Sequence, residues 1–177
     1  MRKLFVALWE TLEVALVAIV TVLIIRTFLI QPFLVSGARM EPNFFGGDYL
    51  IIDEITYRFR EPQRGEVVVF RYLDDKKTFF IKRIVGLPGE RVKIANGKVT
   101  IFNEEHKNGL VLNENYILQK EITSGNIDTT LSDSQYFVLG DNRLHSFDSR
   151  GWGPLPEDNL IGIVRLRLWP FNKLDIY

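Results

Sequence analysis

Lys82 stands in the run Phe79-Phe80-Ile81-Lys82-Arg83-Ile84-Val85, and a second group of polar residues runs from Gly140-Asp141-Asn142-Arg143 through Ser146 to Asp148-Ser149-Arg150. Lysine and serine together permit one kind of covalent chemistry, in which a neutral amine takes the proton of a hydroxyl and the oxygen attacks a carbonyl. For that, the lysine pKa must fall from about 10.4 toward neutrality, which desolvation in apolar surroundings accomplishes. Phe79, Phe80, Ile81, Ile84 and Val85 supply such surroundings, although alternation along a strand puts only half of them on the lysine's face. A lone strand lysine is ordinarily exposed. The second group of residues shifts that balance toward a working amine.

Several chemistries are excluded by composition. The 177 residues carry 22 basic and 22 acidic side chains, which cancel and leave no basic stripe of the kind nucleic-acid binding requires. There is no cysteine, so disulfides, thiolate metal sites and cysteine nucleophiles are absent together. His106 and His145 are too few and too far apart to suggest a zinc site. No metal or organic cofactor is implied. The length suits one compact domain with an attached segment.

The elements that must position Lys82 divide at about residue 32. Val14 to Ile25 carries no charge, and with Leu4 to Trp9 and Thr27 to Ile30 the apolar stretch reaches the roughly 20 residues that a bilayer-spanning helix needs. Arg2 and Lys3 precede it, which by the positive-inside tendency puts the N-terminus in the cytoplasm and the remainder outside. No small-x-small pattern precedes Gln31-Pro32, so an uncleaved anchor is favoured over a signal peptide. From there the periodicity becomes that of strands, read at Tyr49–Ile52, Glu66–Phe70, Phe79–Val85, Val92–Ala95, Lys98–Phe102, Tyr136–Leu139 and Gly162–Leu168. Asn96-Gly97 between two alternating runs predicts a type I′ hairpin, because both central residues of that turn need positive φ. Residues 104–134 are polar and irregular and read as a loop-rich extension, with a short strand near Val111-Leu112 or Tyr116-Ile117-Leu118. The expectation is a mainly β protein: residues 1–32 as cytoplasmic stub and transmembrane helix, residues 33–177 as a single extracytoplasmic antiparallel β-sheet or barrel-like domain.

These residues carry a resemblance to a known family. Val35-Ser36-Gly37-Ala38-Arg39-Met40-Glu41-Pro42 with Gly47-Asp48 resembles the segment in which type I signal peptidases place a serine nucleophile directly before methionine. Arg64–Phe70 resembles the next strand of that family, Ile81–Glu90 the strand of its general-base lysine, and Gly140–Arg150 its final box. The short middle region is similar to the compact bacterial forms. The resemblance implies a membrane-bound serine endopeptidase with a serine/lysine dyad, in which Lys82 is the general base and Ser146 orients its amine. It further implies that Asp141 pairs with Arg83, that Asp148 pairs with Arg150, and that Gly37, Met40 and Ile84 form the oxyanion and substrate groove. Two positions depart from the family pattern. Arg39 occupies the nucleophile position, and Asn43 replaces a threonine. A guanidinium stays protonated and has no lone pair to attack a carbonyl, and its charge opposes a nearby Lys82. Ser36, three residues away on an extended chain, would lie about 10 Å off and on the opposite face. Ser146 and Ser149 already brace the family site.

Recognition follows from the same architecture. An enzyme at the outer membrane face meets an extended peptide emerging from the bilayer, which an exposed strand edge can pair with. The resemblance implies cleavage after small residues of exported precursors that bear signal peptides. Phe44, Phe45 and Phe33-Leu34 are candidates for lipid contact or for core packing. Two readings result. One is a signal peptidase whose activity is impaired by Arg39. The other is a non-catalytic chaperone or assembly factor for exported proteins such as pilus or other surface-fibre subunits, using the retained groove. Self-cleaving serine/lysine repressors lack an anchor, which counts against that class.

Overall fold

The computed structural model describes residues 2–28, 30–75, 77–118 and 122–177, with the side chains of 3–5 and 23–31 outside that description. A helix α1 (Arg2–Phe28) leads directly into strand β1 (Ile30–Leu34), so the sheet begins inside the stretch expected to belong to the anchor. There follow β2 (Tyr49–Asp53), β3 (Val67–Arg71) and β4 (Phe79–Gly86), then the hairpin β5 (Arg91–Ala95) and β6 (Lys98–Phe102). The extension contributes β7 (Leu110–Val111) and β8 (Ile127–Thr130). The chain ends with β9 (Gln135–Leu139), a single turn α2 (Ser149–Trp152), β10 (Leu155–Pro156), β11 (Leu160–Trp169) and β12 (Asp175–Ile176).

The strands form two antiparallel sheets. One runs β1-β2-β11-β3-β4-β9-β10 with β12 on β11; the other runs β7-β6-β5-β8. Neither closes on itself, which corrects the expectation of a single sheet or barrel. The physical reason lies at the end of β4. Its register with β9 shifts between Ile84 and Gly86, and the chain then turns through Pro88 and Gly89 into β5, whose pairs are β6 and β8 alone. The Asn96-Gly97 hairpin forms as expected, with φ of 52° and 77°.

Two boundaries differ from the sequence expectation. β8 pairs Arg91–Ile94 of β5 across Ile127–Thr130, a segment read as loop because Asp128, Thr129 and Thr130 are all polar and its partner is distant in sequence. The expected membrane span is likewise not supported: among the described residues no helix is long and apolar enough to cross a membrane. Glu10 and Glu13 both lie within the described part of that helix, Val6 to Val22.

β4 is the strand that ties the molecule together. Ile81 packs with Val35, Met40, Phe44, Leu50 and Ile52; Ile84 with Val68, Phe70, Tyr136 and Val138; and Val85 with Val92, Ile94 and Phe137 between the sheets. A strand anchored in three apolar clusters has little freedom to move, so whatever it carries is held rigidly.

Candidate active site

Lys82 lies opposite Val68 of β3 and is 1% exposed. Burial pushes its amine down from 10.5 to about 8. The charge of Asp148 opposes that fall, Arg39 adds to it, and Asp141 and Arg150 contribute smaller effects of opposite sign. Nζ donates to the carbonyl of Ile81 at 2.9 Å and lies 5.5 Å from the Phe80 ring centre. The hydrogen bond from Ser146 to this amine, implied by the family resemblance, is not present. Ser146 Oγ is buried without a hydrogen-bond partner among the described residues.

Arg39 arrives at the same place from the other side. Gly37 adopts φ 77°, where side-chained residues are strained, and the chain bends there so that Ser36, Gly37, Arg39 and Met40 all line one cleft with Thr78–Lys82. The cleft holds about 190 Å³. Ser36 thus borders the same cleft as Lys82, on a chain that is bent at Gly37 and not extended throughout. Arg39 is exposed, its Cζ is 5.5 Å from the Phe80 centroid, and no hydrogen bond or ion pair engages its guanidinium among the described residues. Of the other groove candidates, Met40 is fully buried yet forms part of the cleft wall, whereas Ile84 is fully buried in the core behind it. Phe44 also belongs to the core.

The loop after β9 staples these segments together. Asn142 donates its backbone N–H to the Arg39 carbonyl at 3.2 Å and its side-chain amide to the Ala38 carbonyl at 3.0 Å. At Gly140 there is no room for a side chain: a Cβ would sit 2.1 Å from Ser146 Oγ and 2.6 Å from the Arg39 carbonyl oxygen. Asp141 accepts two bonds from Arg83, at 2.8 and 2.6 Å, and Asp148 accepts two from Arg150, both at 2.8 Å, with its Oδ2 also taking the Gly140 N–H. Both expected ion pairs are formed, and both are bidentate.

Residues 8–169 match the family described as signal peptidase, peptidase S26. The chain belongs to that family. A probable signal peptidase I-2 of Synechocystis sp. is 39% identical over 164 residues, covering 90% of this chain and 72% of that protein. The signal peptidase I of Leptolyngbya laminosa is 37% identical over 174 residues, 94% of this chain and 82% of its own. A crystal structure of a signal peptidase I from Enterococcus faecalis covers 59% of this chain and 97% of its own, with TM-score 0.49 and 28% identity.

Beyond the residues that the signal peptidase resemblance points to, the site includes a polar cluster that the sequence did not reveal. Asn43 donates to Asp141 Oδ2 at 2.8 Å and to the Tyr116 carbonyl at 2.7 Å. The Tyr116 ring lies 4.3 Å from the Arg83 guanidinium carbon and 5.9 Å from that of Arg143. Arg143 is itself buried, paired with Glu114 and bonded to Thr123 Oγ1. Burial and the Glu114 charge push the Tyr116 hydroxyl well above its ordinary range. Asn43 was noticeable in sequence only as a departure from threonine. Tyr116 was marked only as part of a candidate short strand, and Glu114 lay in the polar extension with nothing to mark it.

Proposed function

We propose that this chain holds the signal-peptide region of exported precursors in the Lys82 cleft, as a signal peptidase I relative whose own cleavage chemistry is impaired. The observation that carries this reading is that a guanidinium, with no lone pair to donate, shares the cleft with the buried amine. The base is kept and the nucleophile is not. In this reading Lys82 with a pKa near 8 remains able to take a proton from a hydroxyl, so the missing function is the hydroxyl itself.

The fold supports extended-peptide binding. β9 pairs with β4 only from Arg83 onward, while Phe79–Lys82 is paired to β3 on one side and has no strand on the other among the described residues. An unpaired edge beside a cleft is where an extended peptide adds as a strand. The exposed apolar side chains of α1 would hold the β body against lipid, with residues 33–177 meeting the precursor at that surface.

The test uses the full chain in detergent with a precursor bearing a signal sequence. Cleavage is expected from the Arg39→Ser protein and not from the natural sequence or from Arg39→Ser combined with Lys82→Ala. Cleavage by the natural sequence that disappears with Lys82→Ala would overturn the proposal.

A further inference from the structure

Among the described residues the wall of the Lys82 cleft carries two cations, Arg39 and Lys82, and no aspartate or glutamate; the rest of it is mainly apolar, from Phe33, Leu34, Val35, Met40, Phe79 and Phe80. The nearby acids do not compensate it, because Asp141 and Asp148 are each engaged by two bonds from Arg83 and Arg150. Positive charge next to low-dielectric walls attracts an anion more strongly than the same charge in open water. The Arg39 guanidinium rests near the Phe80 face with its donors otherwise unengaged among the described residues, and its planar fork matches a carboxylate in bidentate fashion. Beside it runs the unpaired edge of Phe79–Lys82, which takes a backbone in extended form.

We propose that the cleft is a receptor for the free C-terminal carboxylate of an extended peptide that ends in small apolar residues, with Arg39 clamping the carboxylate. This rests on the groove reading above and names the ligand class. The strand edge and apolar walls select a peptide end over a free inorganic anion, and the cleft volume, about 190 Å³, admits small terminal side chains. A chain with a free carboxylate at that point is the product of hydrolysis after a small residue. The reaction that supplies it is therefore a peptide cleavage carried out by another enzyme.

The experiment measures fluorescence anisotropy of dye-labelled peptides with the full chain in detergent micelles. Three peptides share one sequence ending in alanine: one with a free carboxylate, one with a C-terminal amide, and one continued through a peptide bond for several residues. The acid is expected to bind at least about tenfold more tightly than the amide and the continued peptide, both of which the groove holds without the carboxylate contact, and a continued peptide that binds as tightly as the acid overturns the proposal. Arg39→Gln, at an exposed position, is expected to bring the acid down to the amide's affinity and leave the amide unchanged, with Arg39→Lys falling between. Equal binding of acid and amide by the natural sequence overturns the carboxylate proposal while leaving the groove. If no peptide binds, the groove reading falls as well. Competition by inorganic phosphate at the peptide's own affinity would show an anion site without peptide selectivity, and that too overturns the proposal.

Discussion

At Lys82 the folded protein keeps an amine where water does not reach, and the sign of the consequence follows from its pKa. The folded value is about 8 against 10.5 for the ordinary side chain. Above about pH 10.5 the amine is neutral in both states and has no net effect. As pH falls from there to 8, the unfolded chain takes up the proton first, and stability declines. Below 8 the full cost, about 3 kcal/mol from 1.36 kcal/mol per pKa unit, is present. Lys82→Met, which keeps the volume and removes the charge, is therefore expected to stabilise the protein by about 1–3 kcal/mol at pH 7 and by less than about 1 kcal/mol at pH 10. Urea unfolding midpoints at the two pH values measure this. An equal shift at both would mean that charge burial is not the cause. The apolar neighbours of Lys82 made its burial legible in the sequence, and the Asp141–Arg83 and Asp148–Arg150 pairs were legible through the family resemblance. That Ser146 Oγ makes no bond to the Lys82 amine was not, because a hydroxyl's bond depends on sub-ångström placement of segments that only the folded chain brings together.

The elements divide by the range of their pairing. Hairpin β5–β6 is written locally in Asn96-Gly97, and β2, β3, β4, β9 and β11 announce themselves by apolar content. The short strand expected near Val111 forms as β7, whereas β8 does not announce itself, since it is short, mostly polar and completed by a partner far back along the chain. The same is true of the cluster that fastens the extension onto the site. Glu114, 9% exposed at its side chain, faces the fully buried guanidinium of Arg143, which in turn lies beside Tyr116 and the loop carrying Asp141. Removing one partner of a buried pair leaves a desolvated charge behind. Glu114→Ala should accordingly cost about 3 kcal/mol in unfolding free energy. It should also raise amide hydrogen exchange across 113–118, while exchange in the β5–β6 hairpin stays low. If the loss is under about 1 kcal/mol, the extension is not held by this pair.

For the whole molecule, the distribution of apolar surface is the informative quantity. The β body packs three apolar clusters and leaves single side chains such as Phe59, Phe171 and Ile176 exposed, whereas in α1 every described side chain from Val6 to Val22 is exposed, Leu12, Val14 and Leu16 by 64%, 69% and 61%. A mostly apolar helix surface that, from Val6 to Val22, is left exposed by the described chain is expected to be covered by something else. Sequence reading saw the apolar run clearly, and what it could not supply was the point where helix gives way to strand. On the proposed reading, in which the chain meets precursors at a membrane, lipid is the expected covering, and the energetics make this measurable. An apolar side chain withdrawn from water contributes about 1.5–3 kcal/mol, so replacing two of them by lysine removes about two to four powers of ten from partitioning. The full chain is expected to float with phospholipid vesicles in a density gradient, and the pair Leu16→Lys and Ile19→Lys to leave it at the bottom with an unchanged β-sheet circular dichroism signal. Flotation that survives both substitutions would place the lipid contact elsewhere on the protein and leave the surface of α1 to a protein partner.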